Sequence, residues 1–262
     1  CCCEDYAVPR LGEEADAERI HYRKLTMRYH DVLSTSPVEI FYCGSLEGGR
    51  VARILTDVLS TMPRGEIDED IGTDIRMNAL EAEPRYVTET LPVAQGQLAV
   101  GYRLGACMTE PDIPALFVFN ALYGGCVTSK LFLNVREKLS LCYYASSSYH
   151  RSKGIVTVSS GIEHGDVETA KREILAQLEA VQRGEFEPWE IEGARSCLIA
   201  SLESRGDSAG RMEENALGQA ATGIRETADE LIAALRGVTG ERIAAAAQSL
   251  TLDTVYFLTG EE

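Results

Sequence analysis

The sequence predicts an α+β fold, a mostly antiparallel sheet with helices packed on one side. Two observations carry that prediction. Runs of β-formers, among them Arg85–Leu91, Gln97–Leu104 and Ile155–Ile162, are separated by short turn-rich stretches, the usual way of joining antiparallel strands. Between and after them lie longer stretches whose apolar residues recur at helical spacing. A sheet with one apolar face and helices with one apolar stripe bury both by forming two layers.

In chain order, Ala17, Ile20, Leu25, Tyr29 and Val32 give residues 13–33 a helical rhythm, so residues 1–36 are expected to be a lead-in and connecting helix from an upstream domain. Pro37 opens Val38–Gly44, a run of β-formers predicted to be a strand buried on at least one face. Val51, Ile54, Leu55, Val58 and Leu59 predict a helix over 48–62, stopped by Pro63-Arg64-Gly65. Residues 66–85 are acidic and predicted to be an irregular connection. The strands at 85–91 and 97–104 are expected to be antiparallel neighbours. Asp112–Tyr123 reads as an apolar helix running into Gly124-Gly125. Farther on, Ala145–His150, the turn Arg151-Ser152-Lys153-Gly154 and Ile155–Ile162 form a hairpin. Asp166 is placed to cap a helix that buries Val167, Ala170, Ile174, Leu178 and Val181 and ends at Gly184. Pro188 suits the first turn of the next helix, with Ile191, Ala194, Leu198 and Leu202 inside. Helices around 208–221, 225–236 and 240–249 precede a closing strand at Thr254–Leu258, and residues 37–262 read as one domain.

With 262 residues, 45% of them hydrophobic, the chain can bury a core without covalent staples. A net charge of −16 argues against a nucleic-acid or anionic-membrane surface; it would attract a positively charged peptide, while the bland reading, solubility, is the favoured one. No run is long enough to be a membrane helix. Cys43, Cys107, Cys126, Cys142 and Cys197 sit singly in apolar or helical stretches, which reads as small buried hydrophobes in a reducing, cytoplasmic setting. Cys1-Cys2-Cys3 lacks the spacing of a metal site.

The chain is organised around Gly124–Tyr144, where a glycine pair leads through small polar residues into a predicted helix and then a tyrosine-bearing strand. Leu131, Val135 and Lys138 or Leu139 fall on one helical face, with Phe132 beside them, and that face is expected to be buried. Arg136 lies at the edge of the stripe, and Tyr143 follows across the helix-to-strand turn, so guanidinium and phenol are predicted to share one space. The bland alternative pairs Arg136 with Glu137 or another acid and packs Tyr143 and Tyr144 on the sheet. Lys130 follows small residues as in a phosphate loop, but no glycine directly precedes it, which argues against nucleotide binding.

The ordered set Ser129-x-Leu131-Phe132-x-x-Val135-Arg136-Glu137 followed by Tyr143 resembles the insulinase/pitrilysin family of zinc metallopeptidases, which includes the mitochondrial processing peptidase. The resemblance implies a half-domain of the LuxS/processing-peptidase type over about 37–260. It also implies that Arg136 and Tyr143 bind the backbone of a peptide or protein substrate, with Gly124, Gly125 and Ser129 in a loop near it. The family's zinc signature is H-x-x-E-H on a helix. None of His21, His30, His150 or His164 begins such a motif, so no catalytic residue or metal ligand is expected in this chain. His150 and His164 read as surface residues at strand ends. Zinc, where present, would sit on an upstream half-domain or a partner peptidase subunit. Two functions follow: a noncatalytic C-terminal domain forming part of a peptide-binding chamber, or a structural or recognition subunit with no peptidase role beside an active partner. The wording from Asn134 to Tyr144 is most similar to a bacterial subgroup in which the zinc motif is often degenerate.

Overall fold

A computed structural model describes residues 7–8, 11–68, 78–79, 81–107 and 109–260. In chain order it contains α1 (Glu14–Ala17), α2 (Tyr22–Thr35), α3 (Gly48–Leu59), β1 (Arg85–Thr90), β2 (Gly96–Arg103) and α4 (Ile113–Asn120). A π-helical turn at Ala121–Gly125 and a π-helix at Leu131–Lys138 come next. They are followed by β3 (Cys142–His150), β4 (Ile155–Ile162), α5 (Val167–Gln182), α6 (Pro188–Glu203), α7 (Ala209–Thr222), α8 (Ala228–Arg236), α9 (Gly240–Gln248) and β5 (Thr251–Thr259). The chain divides into two compact units, one within residues 76–207 and 224–262 and the other within 2–75 and 208–223.

The second unit is helical. Glu47 caps α3, its carboxylate accepting from the N–H groups of Gly49 and Arg50 at 2.7 and 2.8 Å, as an anionic N-cap should. Arg64, just past the proline that stops this helix, donates to the carbonyl of Leu33 at 2.6 Å and also to that of Ser36, tying the end of α2 to the chain after α3. The strand expected at Val38–Gly44 is not formed: Val38, Ile40 and Tyr42 are 50%, 49% and 40% exposed, and the Tyr42 hydroxyl accepts from the Leu46 N–H across a bend. β-formers make a strand only where another strand offers a ladder, and the described residues of this unit offer none. Part of the acidic connection at 66–85, like Cys1-Cys2-Cys3, lies outside the described residues.

The first unit is the α+β part, a five-stranded sheet in the order β1-β5-β2-β4-β3. All its pairings are antiparallel except β1 with β5. β1 and β2 run in opposite directions but are not neighbours, because β5 enters between them. The short loop spans two strand spacings instead of one, which the sequence before residue 250 does not reveal.

Side-chain alternation divides the sheet into a packed face and an open one. Leu98, Val100 and Tyr102 of β2, Val156 and Val158 of β4 and Ala145 of β3 are buried in one core with Leu116 and Phe119 of α4 and Ile174 and Val181 of α5. On the opposite face Gln97, Ser159, Tyr144, Ser146 and Ser148 are exposed. At the centre of the core the hydroxyls of Tyr102 and Tyr123 lie 3.3 Å apart, and Tyr123 donates to the carbonyl of Ile174 at 3.0 Å. Burial raises both phenols well above their ordinary pKa, so they stay neutral donors.

Several helix ends follow local chemistry, but the cap expected at Asp166 does not form. Thr227 and Thr239 cap α8 and α9, and Gly184 ends α5 at φ 75°. Asp166 does not cap α5, because a 3-10 turn at His164–Asp166 brings Asp166 into helical conformation, from which its side chain cannot reach back to the first-turn N–H groups. Leu198 and Ile191 of α6 are half-buried, whereas Ala194 and Leu202 are buried as expected.

Two predictions follow from the β3–β4 hairpin. Gly154 has φ 60°, and a Cβ there would lie 2.0 Å from the carbonyl oxygen of Ala106. Gly154→Ala is expected to lower stability in urea by more than about 3 kcal/mol. Gly184→Ala, equally left-handed but with open space, should cost only about 1–2 kcal/mol. His150 at the end of β3 is half-buried, with Nε2 3.2 Å from the Thr157 hydroxyl, and burial lowers its pKa. The unfolded chain therefore takes up the proton first, so this residue's contribution is intact above about pH 6.5 and is lost as pH falls through the lower folded value. His150→Gln should flatten that part of the stability–pH curve measured by urea titration.

Candidate functional site

The π-helix and β3 meet at a corner that the chain turns by means of Ser140. This residue has φ 52°, in the left-handed region that residues other than glycine seldom adopt. Leu141 then donates its N–H to the Val135 carbonyl at 3.2 Å, closing the end of the π-helix. Immediately afterwards the pairing of β3 with β4 slips: Cys142 faces Ile162 and Tyr144 faces Gly161, leaving Tyr143 as the extra residue of a β-bulge. Bulges bend the strand and re-aim a side chain. Tyr143 is 68% exposed, and with Ser140, Leu141, Cys142 and Glu163 it lines a pocket of about 210 Å³. Among the described residues β3 pairs only with β4, so its outer edge carries open backbone donors and acceptors.

Arg136 lies on the π-helix that leads into this corner and is not among the residues lining the pocket. Its guanidinium carbon lies 4.6 Å from the centre of the Phe132 ring one turn earlier, and a guanidinium nitrogen lies 3.6 Å from the Glu137 carboxylate. The pairing with Glu137 is thus present, but both side chains are about half exposed, and such pairs contribute about 0–1 kcal/mol. The charge of Arg136 is felt at Cys142: burial pushes this thiol's pKa up, while the nearby Ser160 hydroxyl and the Arg136 guanidinium oppose the rise. Leu131 and Val135 are fully buried as expected. Lys138 and Leu139 are exposed, because the π-helix ends at Lys138 and the chain turns away at Ser140 before another turn can bring either to the core.

The loop residues sit mostly beneath this corner. Gly124 is buried, and a Cβ on it would lie 2.6 Å from the Ser147 nitrogen and 2.8 Å from Leu131 Cδ1. A Cβ on Gly125 would lie 3.0 Å from the Asn120 carbonyl oxygen. Ser129 is fully buried and its hydroxyl accepts from the Phe132 N–H at 3.4 Å, at the start of the π-helix. The exposed part of the loop is Gly125, Val127 and Thr128. Lys130 is buried and ion-paired with Glu190 of α6 at 3.0 Å, so it is committed to the fold and not to a phosphate.

Three neighbours of the corner carried little sequence signal. The Tyr144 ring crosses Gly161, where a Cβ would lie 2.7 Å from Tyr144 Cε1 and 3.1 Å from Gln95 Nε2. The Gln95 amide nitrogen is buried and has no hydrogen-bond partner among the described residues. Only Gly161 could have been flagged, as a glycine inside a strand marks close approach. No group of three or more His, Cys, Asp or Glu among the described residues is placed to hold a metal ion, and no described helix is long and apolar enough to cross a membrane.

Comparison with known proteins identifies the family. The sequence pattern of the family described as "Peptidase M16 inactive domain" matches residues 19–198. The Bacillus subtilis (strain 168) protein "Probable inactive metalloprotease YmfF" is 32% identical over the whole chain, which covers 61% of that protein. "Uncharacterized zinc protease YmxG" of the same organism is 25% identical over 92% of the chain and 58% of its own length. The chain thus spans about six-tenths of the length of these relatives. A conserved protein from Enterococcus faecalis V583 superposes with a TM-score of 0.83 at 30% identity, over 97% of this chain and 59% of that one. The structure of a peptidase M16 inactive domain from Pseudomonas fluorescens superposes at 0.73 over 98% of this chain and 62% of that one; at 15% identity it shows the shared fold alone. The chain therefore belongs to the M16 peptidase family, the insulinase/pitrilysin type that its Arg136–Tyr143 stretch resembles, and it carries that family's inactive domain.

Proposed function

We propose that this chain is the noncatalytic domain of a longer M16-family protein and holds an extended peptide along the outer edge of β3, as part of a peptide-binding chamber. The observation that carries the reading is the bulge that presents Tyr143 on an open edge strand just after the π-helix that bears Arg136. A peptide added as a strand bonds through its backbone, and side-chain pockets supply selectivity. Arg136 is suited to donate charge-assisted hydrogen bonds to peptide carbonyls, and the Tyr143 hydroxyl to donate one more. Its exposed pairing with Glu137 is weak enough to be exchanged for a desolvated bond to substrate, worth about 1.5–3 kcal/mol. The pocket beside Tyr143 includes the Glu163 carboxylate, which with the net charge of −16 favours a basic peptide side chain. Gly124 and Ser129 are buried, so of the loop residues in this reading Gly125 is the exposed one.

On this reading zinc and the water-activating glutamate belong to an upstream half-domain or a partner subunit, with residues 1–36 as the connection to the former. The name of YmfF favours the further view that the parent protein is itself without peptidase activity and serves recognition beside an active partner in the bacterial cytoplasm. Either way the same edge binds the peptide.

Arg136→Ala combined with Tyr143→Phe is expected to weaken binding of a fluorescent, lysine-rich extended peptide by at least about tenfold, since one lost charged bond exceeds 1.4 kcal/mol. The melting temperature should be unchanged within a degree or two, because both side chains are exposed or half-exposed. Unchanged affinity with unchanged melting removes the assignment.

A further inference from the structure

Cys126 and Cys197, far apart in sequence and unremarkable there, are not single cysteines in the fold. The loop from Cys126 to Lys130 lies antiparallel along one face of α6 and touches it at three successive levels. Lys130 is ion-paired with Glu190 at 3.0 Å. Three residues farther along α6, Gly193 makes room for Thr128, whose hydroxyl oxygen would lie only 3.2 Å from a Cβ added there. The same course puts Cys126, two residues before Thr128, at the level of Cys197, one turn after Gly193, and the neighbouring Cys197 sulfur helps to raise the Cys126 thiol's pKa. Cys126 is fixed from the other side as well, because its Sγ donates to the Ala121 carbonyl at 3.2 Å. The expectation of small, separately buried thiols is therefore corrected here: Cys126 is half-buried, Cys197 is exposed, and they adjoin.

We propose that Cys126 and Cys197 form a reversible disulfide, by exchange with small-molecule disulfides, that locks the Cys126–Lys130 loop onto α6. The pair is asymmetric in access: Cys197 is open to solvent and meets a small disulfide first, whereas Cys126 is half-buried beside it. Cys197, as thiolate, attacks the S–S bond of a low-molecular-mass disulfide and expels one thiolate, which takes up a proton. Cys126 then loses its proton to solvent and attacks Cys197 Sγ, expelling the second small thiolate. The net change converts two protein thiols and one small disulfide into one protein disulfide and two small thiols, with no other oxidant. The locked loop leads directly into the π-helix that carries Arg136, so the bond would act on the substrate corner from behind.

The test uses the chain folded, incubated with oxidised glutathione, alkylated and digested without reduction. The expected product is a cross-linked peptide pair whose fragmentation places the bond between Cys126 and Cys197, reversed by dithiothreitol, with slower amide exchange at Gly125–Thr128. Cys126→Ser should stop at a glutathione adduct on Cys197, and Cys107→Ser should leave the cross-link intact. The proposal is overturned if folded wild-type protein accumulates the glutathione adduct on Cys197, pairs either cysteine elsewhere, leaves both free, or cross-links without slowing exchange in the loop.

Discussion

The approach of Gly124 to the backbone of Ser147 is the contact on which the candidate site depends. With no side chain at 124, the π-helical turn after α4 seats directly on β3, where a Cβ would lie 2.6 Å from the Ser147 nitrogen. The Ser147 hydroxyl then donates to the Asn120 side chain at 2.8 Å, so helix end and strand hold each other in register. That seating fixes where the loop emerges and where the π-helix starts. It also fixes where the chain must turn at Ser140 to rejoin the sheet.

Electrostatics divides the corner into parts that cannot move and parts that can. Lys130 and Glu190 are both about nine-tenths buried, and Glu190 also accepts from the Glu187 N–H at 2.7 Å. Breaking such a pair from one side strands a charge and costs about 3–5 kcal/mol, so the loop's far end is held firmly. Arg136 is the opposite case, stacked on Phe132 and paired with Glu137 in partial contact with water. A guanidinium held loosely beside an open strand edge is available to a ligand at small cost. This contrast, and not the presence of an arginine as such, is what supports the proposed binding role of Arg136.

Much of this was written locally in the sequence. The periodicity of Ala170, Ile174, Leu178 and Val181 gave α5, and the alternation around Val156 and Val158 gave β4, because each follows a single repeating geometry. The stretch from Ser129 to Tyr143 announced the family because loop, helix and strand chemistry occur there in order. What could not be read depended on distant partners. Val38–Gly44 has the composition of a strand and no strand to pair with, and β5 separates β1 from β2 although it arrives last in the chain. The bulge at Tyr143 is a matter of register, and the meeting of Cys126 with Cys197 is a matter of packing; neither leaves a mark in spacing.

The most direct test of peptide binding at this edge is amide hydrogen exchange on the chain with and without a saturating lysine-rich extended peptide. Added-strand binding predicts new protection at alternate amides on the outer edge of Cys142–His150, strongest near the Tyr143 bulge, with the outer edge of β1 unaffected. Protection elsewhere with none on β3, or no protection by any peptide that binds, would contradict it.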